Sequence, residues 1–370
     1  MKILQSSFAF LITLSLVFVS CDNSEKMHTS NSFKILGNVK NIPDSAIVII
    51  RANNINLDSA LVLNEKFELT GTLDEPAKAF LFIPSTNDYG FLWVENAEII
   101  FNAESGNFLN AKITGSQTQV ENDKLLVKES LIITKRDSLE NLLYGGKTNP
   151  GSDVIRKELN ELQKDLKQEY ISVIKNNPAS YVSAFILNVY KTTWGKEQVE
   201  PLYQAFNQKI KNSSYGQSIK SYLELNINPK VGNKYVDFES TDTNGKTIKL
   251  SDIKAKAVLL DFWAAWCFPC REENKNLVKV YSDYKKYGFE IFGVSGDTEK
   301  ESWLDAINKD KLIWTNVFDE KGMDSKPFLI YGINGIPDNF LINSDGIIVA
   351  RNLRGEELRK KLDELLKKRL

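Results

Sequence analysis

The stretch Val258-Leu259-Leu260-Asp261-Phe262-Trp263-Ala264-Ala265-Trp266-Cys267-Phe268-Pro269-Cys270 decides how this sequence is read. It starts as a short apolar run of the kind a buried strand makes, then breaks into two cysteines separated by two residues. Charged, helix-compatible sequence follows from Arg271. A strand ending at a Cys-x-x-Cys that opens a helix places the first sulfur at the positive end of the helix dipole. There a thiolate is stabilised and becomes a nucleophile. Taken alone, the pair is ambiguous between redox chemistry, a zinc site and an inert disulfide.

The rest of the chain narrows these choices. At 370 residues it is long enough for two or three domains, each with its own core. With 42% hydrophobic and 26% charged residues it has the composition of a soluble globular protein, and a net charge of −1 gives no support to a nucleic-acid partner. Its three cysteines, Cys21, Cys267 and Cys270, form no disulfide framework, and its single histidine, His28, lies far from the pair. A structural zinc site wants four Cys, His or carboxylate ligands, so neither a metal nor another cofactor is expected. The loop closed by Cys267 and Cys270 is too small for structural bracing to be its purpose.

The amino terminus reads as an address. Lys2, the apolar run Phe8 to Val19, and Ser20 before Cys21 have the form of a secretory signal over residues 1–20. A cysteine directly after the small residue resembles a bacterial lipoprotein signal, which implies lipidation of Cys21. Phe18 departs from that pattern, where leucine is usual. The run is short for a membrane span and is diluted by Gln5, Ser6 and Ser7. Polar residues then make a tether over 21–32. On this reading the dithiol works outside the cytoplasm, where it must be reduced by a dedicated donor or stays oxidised.

Three folded regions follow. Between about 33 and 118, eight short β-rich runs (Phe33–Val39, Ala46–Arg51, Ser59–Leu63, Phe67–Leu69, Ala79–Ile83, Phe91–Val94, Glu98–Asn102, Ala111–Ile113) are punctuated by Gly, Asn, Asp and Pro. They predict an antiparallel sandwich or small barrel, with Phe82, Tyr89, Phe91 and Trp93 read as core in preference to the lining of a binding groove. This region resembles the uncharacterised β-rich domain found ahead of thioredoxin-like domains in envelope lipoproteins. From 119 to 228 the periodicity is helical. Ile155, Leu159, Leu162, Leu166 and Tyr170 share one face, Leu126, Ile133 and Leu142 suggest a helix before Gly145-Gly146, and Asn177-Pro178 reads as the cap of a third.

From 229 to 370, Asn244-Gly245 marks a hairpin, and Val258–Phe262 and Phe289–Val294 read as strands around a helix. Thr298 and Glu301 make a candidate capping box. Gly335-Ile336-Pro337 leads into strand Asn339–Ile342, the Asp345-Gly346 turn and a last helix with Leu358, Leu362, Leu365 and Leu366 on one face. Alternating strands and helices ending in a hairpin and a helix describe a thioredoxin-like α/β layer fold behind the all-β and helical regions.

Asp261-Phe262-Trp263, Trp266-Cys267-Phe268-Pro269-Cys270-Arg271 and Gly335-Ile336-Pro337 resemble the thioredoxin superfamily. Within it they are most similar to envelope-facing, membrane-anchored thiol–disulfide oxidoreductases related to TlpA and ResA. The resemblance covers about the last 140 residues. Two positions depart from it: Lys275 stands where the family commonly has proline, and Asp338 where threonine often follows the cis-proline.

The resemblance implies roles. Cys267 attacks a substrate disulfide and Cys270 resolves the mixed disulfide. Asp261 is placed as the buried acid that accepts the Cys270 proton, with Glu273 sharing the task. Trp266, Phe268 and Pro269 border the dithiol, and Ile336 with cis Pro337 offers an edge to an extended substrate peptide. The implied substrates are disulfide-containing envelope proteins, apocytochrome c among the candidates, with a membrane or periplasmic electron donor. Two alternatives stand beside this. A peroxiredoxin-like peroxidase wants Thr or Ser where Ala264 stands, and an envelope binding protein could carry a vestigial dithiol.

Overall fold

The computed structural model describes residues 31–53, 55–144 and 152–367. The signal segment, Cys21, His28 and nearly all of the tether lie outside the described residues, as does Gly145-Gly146. Among the described residues, no helix is long and apolar enough to cross a membrane.

Strands β1 (Phe33–Lys40), β2 (Ile47–Ala52), β3 (Ile55–Leu61), β4 (Lys66–Gly71), β5 (Ala77–Ile83), β6 (Asp88–Val94), β7 (Glu98–Glu104) and β8 (Lys112–Thr114) form two four-stranded sheets, ordered β4-β1-β7-β8 and β3-β2-β5-β6. Alternate residues of both sheets, including Ile35, Val48, Ile50, Leu69, Leu81 and Phe101, bury into one shared core, as period-two patterning requires. The expectation of antiparallel pairing holds except between β1 and β7, which run parallel.

The aromatic residues divide in a way the sequence does not reveal. Tyr89 and Phe91 are 41% and 49% exposed and Phe82 is half-buried, so core packing holds for Trp93 alone. Phe80, Phe82, Tyr89, Phe91 and Trp93 share one outward sheet face, and the helices that follow cover only the Trp93 end.

Those helices are α1 (Gln117–Tyr144), α2 (Ser152–Asn176), α3 (Tyr181–Trp194), α4 (Lys196–Ala205), α5 (Gln208–Asn212) and α6 (Ser214–Leu225). Trp93 joins the two regions: its backbone N–H donates to Gln119 Oε1 at 2.8 Å and its indole N–H to Asn122 Oδ1 at 3.1 Å. Its ring meets Phe185 and Tyr215 edge-on. The first turns of α1 are therefore buried through polar residues, and the buried leucine is Leu125. Leu126 and Leu142, chosen from the pattern, are exposed. Ser180, not Asn177, caps α3 by accepting from the Ser183 N–H, because the Asn177 side chain donates back to Val173 O.

The last region packs one mixed sheet between helices. Its elements are β9 (Glu239–Asp242), β10 (Thr247–Lys249), β11 (Ala257–Trp263), α7 (Phe268–Tyr284), β12 (Phe289–Ser295), α8 (Lys300–Asp310), β13 (Thr315–Phe318), α9 (Lys326–Tyr331), β14 (Asp338–Asn343), β15 (Ile348–Arg351) and α10 (Gly355–Leu366). The strand order is β10-β9-β13-β12-β11-β14-β15. Strand β11 pairs parallel with β12 and antiparallel with β14, so it lies near the middle and every residue is buried. That burial explains why it reads as a continuous apolar run and not as an alternation. The helical region reaches this domain through α9 and the turn before it: Asn226 Nδ2 donates to Leu329 O at 2.9 Å, and Lys191 Nζ pairs with Asp324 at 2.7 Å.

Candidate active site

The dithiol sits where β11 hands over to α7. Cys267 is the N-cap of that helix, and its sulfur accepts the Cys270 backbone N–H at 3.2 Å. Pro269 is tolerated here because it lies in the first helical turn, where no intrahelical N–H is needed. Cys267 and Cys270 are joined by a disulfide. Both are buried, 4% and 1% exposed, with Cys267 only slightly the more accessible. Accessibility at this surface belongs to its neighbours Trp266 and Phe268, 63% and 74% exposed.

The loop carrying Cys267 is held from two sides. The Ala265 N–H donates to both oxygens of Asp297, at 3.1 and 2.9 Å, and Ser295 Oγ donates to the same carboxylate at 2.6 Å. Burial pushes the Asp297 carboxyl up from its ordinary range, against these hydrogen bonds. On the other side Arg271 Nη1 donates to Ala265 O at 3.1 Å, while its Nε and Nη2 grip Asp310 at 2.5 and 2.7 Å. Burial works against ionised Asp310, yet the hydrogen bonds from Arg271 and Asn274 hold it below the usual carboxylate range. Helix α8 starts at Lys300 with Glu299 as its N-cap and no side-chain cap, so the Thr298–Glu301 capping box does not form.

Asp261 is the one charged residue of β11 and is 3% exposed. Burial raises its pKa from 3.8 to about 7; the Glu273 charge adds to this, Arg354 opposes it, and Asp338 adds a smaller push. Glu273 Oε1 is buried with no hydrogen-bond partner among the described residues. It lies about one helical turn beyond Cys270.

The Ile336–Pro337 peptide bond is cis. Ile336 packs against the core cluster that contains both cysteines. The departure at Asp338 is accommodated by an ion pair: Arg351 Nε and Nη2 donate to its carboxylate at 3.1 and 2.5 Å. Arg354 Nη2 donates to Pro337 O at 2.5 Å. Lys275, the other departure, is exposed and pairs with Glu272 at 2.6 Å.

The comparisons with known proteins agree with this arrangement. The AhpC/TSA family model matches residues 231–351, and the model of a domain of unknown function, DUF4369, matches residues 33–122. The thiol-disulfide oxidoreductase ResA of Bacillus cereus (strain ATCC 10987) is 32% identical over 149 residues, covering 40% of this chain and 84% of that protein. The chain belongs to the ResA-like thiol-disulfide oxidoreductases. ResA of Bacillus anthracis is 34% identical over 139 residues, covering 38% of this chain and 78% of its own length. A solved thioredoxin domain of a thiol-disulfide oxidoreductase from Bacteroides vulgatus is 37% identical, with a TM-score of 0.35, covering 37% of this chain and 99% of that domain. The chain is therefore a thiol-disulfide oxidoreductase whose thioredoxin-like domain follows a β-rich domain and a helical region.

For this oxidoreductase the structure brings Cys267, Cys270, Asp261, Glu273, Trp266, Phe268, Pro269, Ile336 and Pro337 into the same domain, around one strand–helix junction and the loop leading into β14. Sequence reasoning missed the supporting residues Arg271, Asp297, Asp310, Arg351 and Arg354. Arg271 was visible beside Cys270, but its partner lies 39 residues away on α8. Only the fold pairs them.

Proposed function

We propose that this oxidoreductase reduces disulfides in protein substrates of the bacterial cell envelope, held at the membrane by a lipid on Cys21. The observation that carries the mechanism is Cys267 at the N-terminus of α7, its sulfur in contact with the Cys270 N–H. A thiolate there gains from the helix dipole and from that donor.

In the reduced enzyme the Cys267 thiolate attacks one sulfur of the substrate disulfide, and the other substrate sulfur leaves as a thiolate. Cys270 then gives its proton to Asp261 as its sulfur attacks Cys267 Sγ. The second substrate sulfur departs, and the pair ends as the Cys267–Cys270 disulfide. Two electrons have moved from enzyme to substrate, and a donor dithiol must return them. A carboxyl with a pKa of about 7 is matched to accepting a proton near neutrality. The charge of Glu273 raises the proton affinity of Asp261, and in that way Glu273 shares the task.

Trp266 and Phe268 offer apolar anchors beside the dithiol, Pro269 shapes the turn between the cysteines, and the backbone at Ile336-Pro337 pairs with an extended substrate segment. Support for the envelope location comes from the signal-like amino terminus and its cysteine. Equilibration of the full chain against glutathione tests the direction of electron flow. A potential near that of thioredoxin, about −270 mV, is expected; one near −120 mV, as in a strong oxidant, overturns the reductant reading.

A further inference from the structure

Asp261 on β11 lies in register opposite Asn339 of β14, next to Asp338, and the charges of Glu273 on α7 and of Asp338 both act on it. Two cations act on these carboxylates. Arg351, on β15, is committed to Asp338 through its Nε and Nη2 and lies over the Phe340 ring at 4.6 Å. Its charge is neutralised by that pair. Arg354, at the N-cap of α10, is different. Its Nη2 donates to the neutral carbonyl of Pro337, and among the described residues it forms no ion pair.

We propose that Arg354 is a positioning residue for the exchange reaction: it ties down the Pro337 carbonyl, and, following Leu353 on Asn339, the residue in register with Asp261, it supplies an unpaired positive charge to that carboxyl. The base of its side chain is fixed. Leu353, the residue before it, exchanges hydrogen bonds with Asn339: the Leu353 N–H donates to Asn339 Oδ1 at 3.0 Å, and Asn339 Nδ2 donates to Leu353 O at 2.9 Å. Gly355, the residue after it, has φ +50°, a left-handed turn that glycine adopts without strain and that directs the chain into α10. The guanidinium thus spans from the start of α10 to the loop that docks substrate.

The electrostatic consequence follows from burial. In a poorly screened site a cation stabilises ionised carboxylates, so Arg354 opposes the effects of burial, Glu273 and Asp338 on Asp261. Removing the charge raises the Asp261 pKa further and leaves less of it ionised at a given pH. The resolving step needs ionised Asp261, so its rate then rises through a higher pH. The steric consequence is separate. Without the guanidinium the Pro337 carbonyl loses its tether, and substrate docking weakens.

The inference rests on Asp261 being the base, and the experiment separates the two claims. Reduced full-length protein is mixed with a short disulfide-bonded peptide for a single turnover, and the limiting rate at which the Cys267 mixed disulfide resolves (kcat) and the half-saturating peptide concentration (KM) are followed against pH for wild type, Arg354→Met, Arg354→Lys and Asp261→Asn. Arg354→Met should move the rising limb of kcat up by about one pH unit and raise KM severalfold. Arg354→Lys should restore the limb, because it keeps the charge, but not KM, because an ammonium lacks the planar fork. Asp261→Asn should abolish the limb. If Asp261→Asn abolishes it while Arg354→Met leaves it in place, Arg354 has no such role and the base assignment stands. A limb that survives Asp261→Asn sinks both. Should Arg354→Met fail to fold, Arg354→Lys decides: an altered limb with the charge retained refutes the electrostatic part, and an unchanged KM refutes the tether.

Discussion

Replacing Asp261 with Asn tests the energetics of the site without reference to any substrate. A carboxyl whose folded pKa is about 7, against an ordinary 3.8, holds a proton in the folded protein over a range where the unfolded chain has lost it. Through that window the folded state binds more protons, so stability falls as pH rises. The contribution is fully present below pH 3.8 and lost above about pH 7. At 1.36 kcal/mol per pH unit, the interval corresponds to roughly 4 kcal/mol. Structural relaxation and water penetration around the charge reduce it, so about 1–3 kcal/mol is expected in practice.

Asp261→Asn removes this pH dependence. The chain has several domains, so a single unfolding free energy is not defined for it, and the suitable readout is local. Hydrogen exchange of peptides covering β11 in the oxidised protein gives the opening free energy of the strand that carries the residue. Between pH 4 and pH 8, β11 in the variant should gain protection relative to wild type, with little difference at the acid end. Equal pH dependence in both proteins would refute the buried, proton-holding carboxyl and the base assignment built on it.

Other consequences are distributed over the chain. Arg271→Leu should slow disulfide exchange by about tenfold, since the loop before Cys267 loses its grip on Ala265 O. It should also lower the local opening free energy of α8 by about 2 kcal/mol, since Asp310 keeps only its Asn274 hydrogen bond, and exchange kinetics with hydrogen exchange of α8 peptides check both. Trp93→Ala should destabilise the junction between the β-rich and helical regions by about 3–5 kcal/mol while leaving exchange at the dithiol within about twofold, read by limited proteolysis beside a peptide assay. Cys21→Ala should move the protein from the membrane to the soluble fraction; unchanged fractionation removes the lipid anchor.

Much of the thioredoxin-like domain was legible because its strongest signals are local. The apolar run into Cys267, the Asn244-Gly245 and Asp345-Gly346 turns and the leucines of α10 each dictate an element without reference to the rest of the chain. The eight β-rich runs were legible for the same reason, and the two sheets follow them closely. What could not be read is what depends on a distant partner. Tyr89 and Phe91 have the composition of core, yet lie on a sheet face that the helices cover only at Trp93. The face buried by α1 was misread because Gln119 and Asn122, polar residues, make its contacts with Trp93. At the site, the dithiol and Asp261 declare themselves along one strand and its exit, whereas Arg271–Asp310 and Arg354–Pro337 exist only once α8 and α10 have packed.

The most direct test of the account is trapping with Cys270→Ala in cells producing the full chain. With the resolving sulfur gone, the mixed disulfide on Cys267 should persist, so substrate proteins should remain covalently attached until a reductant is added, and Cys267→Ala should capture none. Equal capture by Cys267→Ala, or no covalent partner on Cys270→Ala, would contradict Cys267 as the nucleophile and with it the proposed mechanism.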